Sequence, residues 1–329
     1  MTQPTVFVTR TVADSALRII EESASVEVWT EHMPVPKETL LAKSHDADGL
    51  LILASDKCEA ELIESSTRLK VISNFGVGYN NIDVDSATKH GIFVGYTPGV
   101  VTETTADLAF ALLMAAARQV VRGDRLVRTG QWRSWGPMDV LGCDIHHAKL
   151  GIVGLGRIGT EVAKRAKGFD MTVLYHDEVR REDVERRLGL HFVPTLSQLL
   201  SEADYVSLHV ALNEHTFHMI GEAELALMKP TGILVNASRG SVVDQMALYE
   251  ALRNHRILGA AIDVAEVEPI PSKDPLLELD NLTVTPHVGT ATLETRTNQS
   301  LLAAQNLVAG IAGRVPPHCV NPQAQITIR

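Results

Sequence analysis

Short apolar runs alternate with amphipathic stretches from the start of the chain. The runs at 6–9, 26–29, 49–53, 70–73 and 92–94 read as strands, because short continuous apolar segments suit strands buried on both faces. Between them, 14–21, 37–43 and 59–64 carry a helical period. A second series begins near Leu150, with strands predicted at 150–153, 171–175, 205–208, 232–236, 258–262 and 282–285 and helices that include 157–167 and 245–253. Strand and helix in alternation predict parallel sheets, and two such series predict an α/β chain with two lobes. Their boundary is expected in a long helix over 103–121, opened by Thr102 as its N-cap. The segment 129–147, rich in Trp, Gly and Pro and without a period, reads as a loop or arm that serves dimerisation or closure of an active site.

Composition narrows the class. A chain of 329 residues with 45% hydrophobic residues can fill two ordinary cores without disulfide staples. The three cysteines, Cys58, Cys143 and Cys319, form no C-x-x-C pair, which fits a reducing compartment and excludes a cysteine-based zinc site. A formal net charge of -10 argues against nucleic acid or an anionic membrane as the main partner, since both select basic faces. No basic leader with an apolar core precedes the first strand, and the apolar stretch 108–117 is too short to span a bilayer, so a soluble cytoplasmic protein is expected.

Several polar features read as structural. No metal is expected at His146 and His147, because adjacent histidines point apart on regular backbone and no carboxylate or Cys lies at ligand spacing. Arg118, Arg122 and Arg125 share one face of the predicted helix, as a solvated or dimer-facing stripe. His176, His209, His215 and His218 read as surface or rim residues.

The strongest local signal is Gly154-Leu155-Gly156-Arg157-Ile158-Gly159, directly after an apolar strand and opening an amphipathic helix. In that context the glycines allow a tight turn, close backbone approach to a pyrophosphate, and close packing of helix on sheet. The helix N-terminus then offers unpaired N–H groups to phosphate. Asp177, 177 − 154 = 23 positions after Gly154, ends the next strand, where a carboxylate binds adenine-ribose hydroxyls and repels a 2′-phosphate. NAD(H) is therefore favoured, while Arg180 and Arg181 leave NADP(H) open.

Three reactive side chains follow later strands of the second series: Arg239 in Asn236-Ala237-Ser238-Arg239-Gly240, Glu268 before Pro269, and His287 after Pro286. In open α/β sheets ligands bind outside the carboxyl ends of the strands. Arg239 offers a fork to a carboxylate or a polarised carbonyl, His287 can give a proton to a developing alkoxide, and Glu268 can orient the imidazole.

With these segments, Gly76-Val77-Gly78-Tyr79-Asn80-Asn81-Ile82-Asp83 and Thr97-Pro98-Gly99-Val100-Val101-Thr102-Glu103-Thr104-Thr105-Ala106-Asp107 complete an ordered set. Across nearly its whole length the chain resembles the D-isomer-specific 2-hydroxyacid dehydrogenase family, and within it the glyoxylate/hydroxypyruvate reductase branch. The resemblance implies two Rossmann-like or flavodoxin-like lobes with parallel sheets and an active site in the cleft between them. Residues 1–102 with 292–329 would form the substrate-binding domain, and 103–291 the dinucleotide-binding domain.

It also implies Arg239, Glu268 and His287 as the catalytic trio, with Arg239 and His287 also touching substrate. Backbone N–H groups near Val77 and Gly78 would bind the substrate carboxylate. Cofactor contacts would fall to Thr105, Gly154, Gly156, Arg157, Ile158, Gly159, Asp177, Val210, Ala237, Ser238, Gly289 and Asp263, the last at the nicotinamide carboxamide. The implied reaction is NAD(P)H-dependent reduction of a small 2-keto acid to the D-2-hydroxy acid by a homodimer. Ala211 stands where the family commonly has Pro, and Asp139 where some glyoxylate reductases carry a Trp, which leaves hydroxypyruvate and sugar-derived 2-keto acids open beside glyoxylate. Phosphite dehydrogenase is similar too, but carries a Lys at the place of Val77. An alternative from another class is an NAD-sensing transcriptional co-repressor on the same fold.

Overall fold

The structure, a computed structural model, describes residues 3–324; residues 325–329 of the expected first domain, and residues 1–2, lie outside the described residues. Two compact units make up the chain, one running to Val101 and resuming at Thr290, the other spanning Thr102–Gly289.

In the first unit, β1 (Thr5–Val8), α1 (Asp14–Glu21), β2 (Ser25–Val28), α2 (Lys37–Asp46), β3 (Gly49–Ile52), α3 (Ala60–Ser65), β4 (Val71–Asn74), α4 (Val84–Lys89) and β5 (Phe93–Gly95) alternate. The five strands form one sheet, order β2-β1-β3-β4-β5, with every pairing parallel. Successive side chains of a strand point to opposite faces. Phe7, Leu50, Ile72 and Val94 therefore enter one core layer, and Val6, Leu51, Val71 and Phe93 the other. The long helix Leu293–Ile311, capped by Thr292 accepting from the Thr295 N–H, covers the second layer with Ala303, Ala304 and Leu307.

The outer edge of β5 is closed by the segment 318–321, through backbone as well as side chain: the Tyr96 N–H donates to the His318 carbonyl at 3.1 Å and the Val320 N–H to the Val94 carbonyl at 2.8 Å. The buried Asn321 accepts from the Val94 N–H (2.7 Å) and donates to the Ile92 carbonyl and the Thr88 hydroxyl (2.9 Å each).

The second unit runs α5 (Thr102–Ala117), α6 (Val120–Arg128), β6 (Lys149–Val153), α7 (Arg157–Ala166), β7 (Thr172–His176), α8 (Glu182–Leu188), β8 (His191–Phe192), α9 (Leu196–Glu202), β9 (Tyr205–Leu208), α10 (Glu222–Leu227), β10 (Ile233–Asn236), α11 (Gln245–Arg253), β11 (Gly259–Ile262) and β12 (Leu282–Val284). Its parallel sheet has the order β12-β11-β10-β9-β6-β7-β8. Strand order reverses beside β6, which pairs with both β7 and β9, and such a switch point opens a crevice at the strand ends. The expected α/β architecture with two parallel sheets is found.

Local expectations fail where the chain leaves regular geometry. The single helix over 103–121 is two helices bent by 63°, because Gln119 adopts a left-handed φ of 53°. The Ala117 carbonyl, freed from the helical ladder, accepts from the Cys143 N–H at 2.8 Å. Thr102 is the first helical residue rather than a cap. The break also removes the shared arginine face: Arg118 sits in the bend, while Arg125 pairs with Asp280. His146 and His147 do not diverge; with His147 at φ 63° their rings meet edge to face, 5.1 Å between centroids.

Between α6 and β6 the chain forms neither helix nor strand. α6 has no buried residue, and the arm exposes Trp132 (64%), Trp135 (80%) and Met138 (74%). Among the described residues no single helix is long and apolar enough to cross a membrane.

Asn321→Ala would strand the buried Val94 N–H without a partner, a loss of about 2 kcal/mol. The expected outcome is a lower midpoint in thermal denaturation, with the first unit affected in hydrogen exchange at Val94 before the second.

Candidate active site

The glycine segment forms a turn that has no room for side chains. Gly154 follows β6 with φ 92°, and a Cβ there would meet the His209 carbonyl carbon and Val210 Cγ1, each at 2.9 Å. A Cβ on Gly159 would collide with the Gly154 carbonyl oxygen. A Cβ on Gly156, at the N-cap of α7 that Arg157 and Ile158 open, would meet nothing within 4 Å. The first-turn N–H groups of a helix that opens on such a turn suit a pyrophosphate.

Asp177 lies just beyond β7. Its Oδ2 accepts from the Leu155 N–H at 2.6 Å and its Oδ1 from the Val179 N–H at 3.3 Å, which fixes the carboxylate beside the glycine turn. Arg180 is committed elsewhere: it donates twice to Glu185 (2.9 and 3.0 Å) and lies over the Phe192 ring. Those bonds, with the Tyr175 hydroxyl, hold the Glu185 carboxyl down at about 2. Of the four histidines expected at the rim, His209 differs. Burial pushes its imidazole down to about 4, and it shares a 2.8 Å bond with Ser207.

Beyond β10, Asn236 organises the next loop. Its Oδ1 accepts from the Ser238 N–H (3.0 Å) and hydroxyl (2.8 Å), and its Nδ2 donates to the Arg239 carbonyl (2.9 Å). A Cβ on Gly240 would collide with the Ala265 backbone, so the chain after Arg239 passes hard against the loop that carries Glu268. Burial pushes the Arg239 guanidinium below its ordinary value, partly countered by the Glu268 charge.

Beyond β11, the buried Asp263 gathers the segment after β12. Its Oδ1 accepts from the Thr285 hydroxyl (2.6 Å) and the Val288 N–H (2.8 Å), and its Oδ2 from the Gly289 N–H (2.8 Å). Its carbonyl accepts from the His287 N–H at 2.9 Å. Thr105, buried on α5, lies about van der Waals distance from where a Gly289 side chain would be. His287 is held with φ 53°, a conformation that non-glycine residues adopt only when their surroundings impose it.

The three elements converge on a pair. His287 Nδ1 is 2.6 Å from Glu268 Oε2, and Glu268 Oε1 accepts from the Ala265 N–H at 3.0 Å. Burial pushes the Glu268 carboxyl up, but the bond and charge of His287, the Ala265 N–H and the Arg239 charge outweigh it and leave it below the usual carboxylate range. With Nδ1 engaged, Nε2 is the ring atom left to exchange a proton with a substrate.

Arg239, Glu268, His287, Asp263, Gly289, Ala237 and Ser238 thus sit on loops that follow the neighbouring strands β10 to β12, with Thr105 on α5 beside Gly289. Val210 follows β9, and the glycine turn and Asp177 follow β6 and β7 across the switch point. Val77 and Gly78 belong to the first unit, on the loop after β4. Reading by motif misses Asn236 and the gathering role of Asp263. An Asn at a strand end carries no signal by type alone, although its place two residues before Ser238 is that of a turn-forming Asx.

Comparison with known proteins gives concordant matches. The model of the D-isomer specific 2-hydroxyacid dehydrogenase NAD binding domain matches residues 110–289. A glyoxylate reductase of Korarchaeum cryptofilum is 52% identical over 322 residues, 98% of this chain and 97% of that protein. One from Pyrococcus horikoshii is 46% identical, covering 97% and 96%. Among solved structures, a Thermus thermophilus protein superposes with a TM-score of 0.89 at 43% identity, covering 96% of this chain and 99% of its own. An NADPH-dependent glyoxylate/hydroxypyruvate reductase of Sinorhizobium meliloti, in complex with NADP and malonate, superposes with 0.87 at 30% identity over 100% of both chains.

Because the folded Glu268 carboxyl lies below its ordinary value of about 4.3, the stability it confers is present above that value and lost as pH falls through the folded one. Chemical denaturation at a series of pH values should show the stability gap between this chain and Glu268→Gln shrinking from about pH 5 towards pH 3.

Proposed function

The chain belongs to the D-isomer specific 2-hydroxyacid dehydrogenase family, in its glyoxylate reductase branch, and on that footing we propose that it reduces a small 2-keto acid to the D-2-hydroxy acid with His287 as proton donor. The observation that carries the reading is the 2.6 Å bond between His287 Nδ1 and Glu268, which orients the ring and leaves Nε2 to meet a substrate. A bound nicotinamide cofactor supplies the hydride. Arg239, desolvated and fork-shaped, holds the keto acid and polarises its carbonyl, and the Val77 and Gly78 N–H groups take the carboxylate. His287 Nε2 would give its proton to the oxygen of the substrate's keto group. The first unit is read as the substrate-binding domain. In the second, Asp263, Thr105, Val210, Ala237, Ser238 and Gly289 are read as the nicotinamide end of the cofactor groove.

NADH is the favoured reductant. The Asp177 carboxylate beside the glycine turn repels a 2′-phosphate, and Arg180 is bonded to Glu185. Arg181, whose guanidinium donates to the Leu155 carbonyl at 3.5 Å, keeps NADPH as the alternative. The names of the relatives favour glyoxylate among the substrates, with hydroxypyruvate next. The exposed valines of α6 and the tryptophans of the arm support a homodimer through that surface, since contiguous exposed apolar residues mark association sites. A cytoplasmic setting is consistent with three unpaired cysteines. No observation favours the co-repressor reading.

Loss of NADH absorbance with glyoxylate, hydroxypyruvate, pyruvate and 2-ketogluconate tests the proposal. Turnover of at least one is expected, falling by about a thousandfold or more in His287→Ala while NADH binding persists; undiminished turnover in that variant would overturn the role of His287. Specificity (kcat/KM) for NADH should exceed that for NADPH by about tenfold or more, as expected for one unfavourable charge contact of about 1.4 kcal/mol. Asp177→Ser should narrow the gap.

A further inference from the structure

The loop after β4, Phe75–Tyr79, is held from behind by two hydrogen bonds that fix its peptide planes. The Gly76 carbonyl accepts from the Thr97 N–H at 2.9 Å, and Thr97 is itself held by Gln299, whose Nε2 donates to its hydroxyl at 3.1 Å. The Gly78 carbonyl accepts from the Asn74 side chain, Nδ2, at 2.8 Å. A peptide is planar and trans, so tying down a carbonyl turns the next residue's N–H the opposite way. The two bonds therefore direct the Val77 and Tyr79 N–H groups outward and bracket the peptide that carries the Gly78 N–H. Among the described residues none of these three N–H groups has a backbone or side-chain acceptor. Successive outward N–H groups make a concavity suited to an anion.

We infer that Asn74 is a positioning residue for the substrate carboxylate: it touches no reactant, and sets the loop whose N–H groups bind one. The inference rests on the proposed keto-acid reduction. Asn74 is fully buried, and of its two side-chain polar atoms only Nδ2 is bonded; Oδ1 has no partner among the described residues. A buried amide with an unpaired acceptor costs stability. The Gly78 carbonyl, in contrast, lies in a partly exposed loop and can turn to water if released. Removing Asn74 should thus loosen the anion cradle while leaving the fold as stable as before, a combination that a packing residue would not give.

Two variants test this: Asn74→Leu removes the donor at similar volume, and Asn74→Asp keeps the shape but presents a carboxylate to the Gly78 carbonyl. In each, the KM for the keto acid should rise by about tenfold, the loss expected for one hydrogen bond that orders a binding loop. The inhibition constant of oxamate, a carboxylate that is not reduced, should rise in parallel. kcat should change by less than about threefold and the NADH Kd should hold in both, because neither depends on the carboxylate contact. The thermal midpoint should hold in Asn74→Leu, whereas the buried carboxylate of Asn74→Asp lowers it. Unchanged KM and oxamate inhibition in both variants would overturn the assignment. So would a fall in kcat, NADH affinity and thermal midpoint together in Asn74→Leu, which marks a structural role. If the unaltered chain neither reduces a keto acid nor binds oxamate, the proposed function itself is what has failed.

Discussion

A carboxylate taken out of water has to collect donors, and in the second unit Asp263 collects them from one short stretch of chain. The Thr285 hydroxyl and the Val288 and Gly289 N–H groups all close on its two oxygens. For three donors within five residues to face one acceptor, the backbone must curl around it, and the residue in the middle of the curl is His287. Its left-handed φ is the cost of that curl, repaid by a buried charge that no longer lacks partners. The ring then has one orientation, with Nδ1 against Glu268. The bonds to Asp263 set the backbone that carries the imidazole, and the bond to Glu268 sets the ring.

The same economy recurs after three other strands, β4, β7 and β10. Asn236 at the end of β10 holds the loop of Arg239, and Asn74 at the end of β4 holds the Gly78 carbonyl. Asp177 beyond β7 holds the glycine turn through Leu155. Parallel strands run out of ladder partners at their carboxyl ends, and a short polar side chain at the last rung supplies the first bond of the loop that follows. Arg239 and His287 then come three residues after the ends of β10 and β12, close to the rigid sheet.

Much of this was legible in sequence, for physical reasons that differ from part to part. Continuous apolar runs such as 49–53 declare doubly buried strands because few other structures tolerate them. The glycine turn declares itself because side chains at Gly154 and Gly159 have nowhere to go. His287, Glu268 and Arg239 were singled out by order along the chain, yet their convergence is a property of three loops and could not be read from any one of them. The bend at Gln119 was invisible because a single left-handed residue leaves no trace in hydrophobic period. His146 and His147 misled for the same reason: the expectation of diverging rings assumes regular backbone, and His147 is not regular. Asn74 carries no motif at all; its meaning lies in where its amide points.

The closure of the first sheet by the segment 318–321 has a consequence for how the chain is made. A ribosome releases the chain from its amino end, so β1 to β5 emerge early, without the helix Leu293–Ile311 over one face or Asn321 along the edge of β5. Every residue of the second unit emerges in between. Until the last part of the chain is translated, the nascent first sheet carries an uncovered apolar face and an open strand edge, the two features that invite pairing with a stranger. The order of synthesis thus makes the amino-terminal sheet the client most in need of a chaperone, although it is the first to be born.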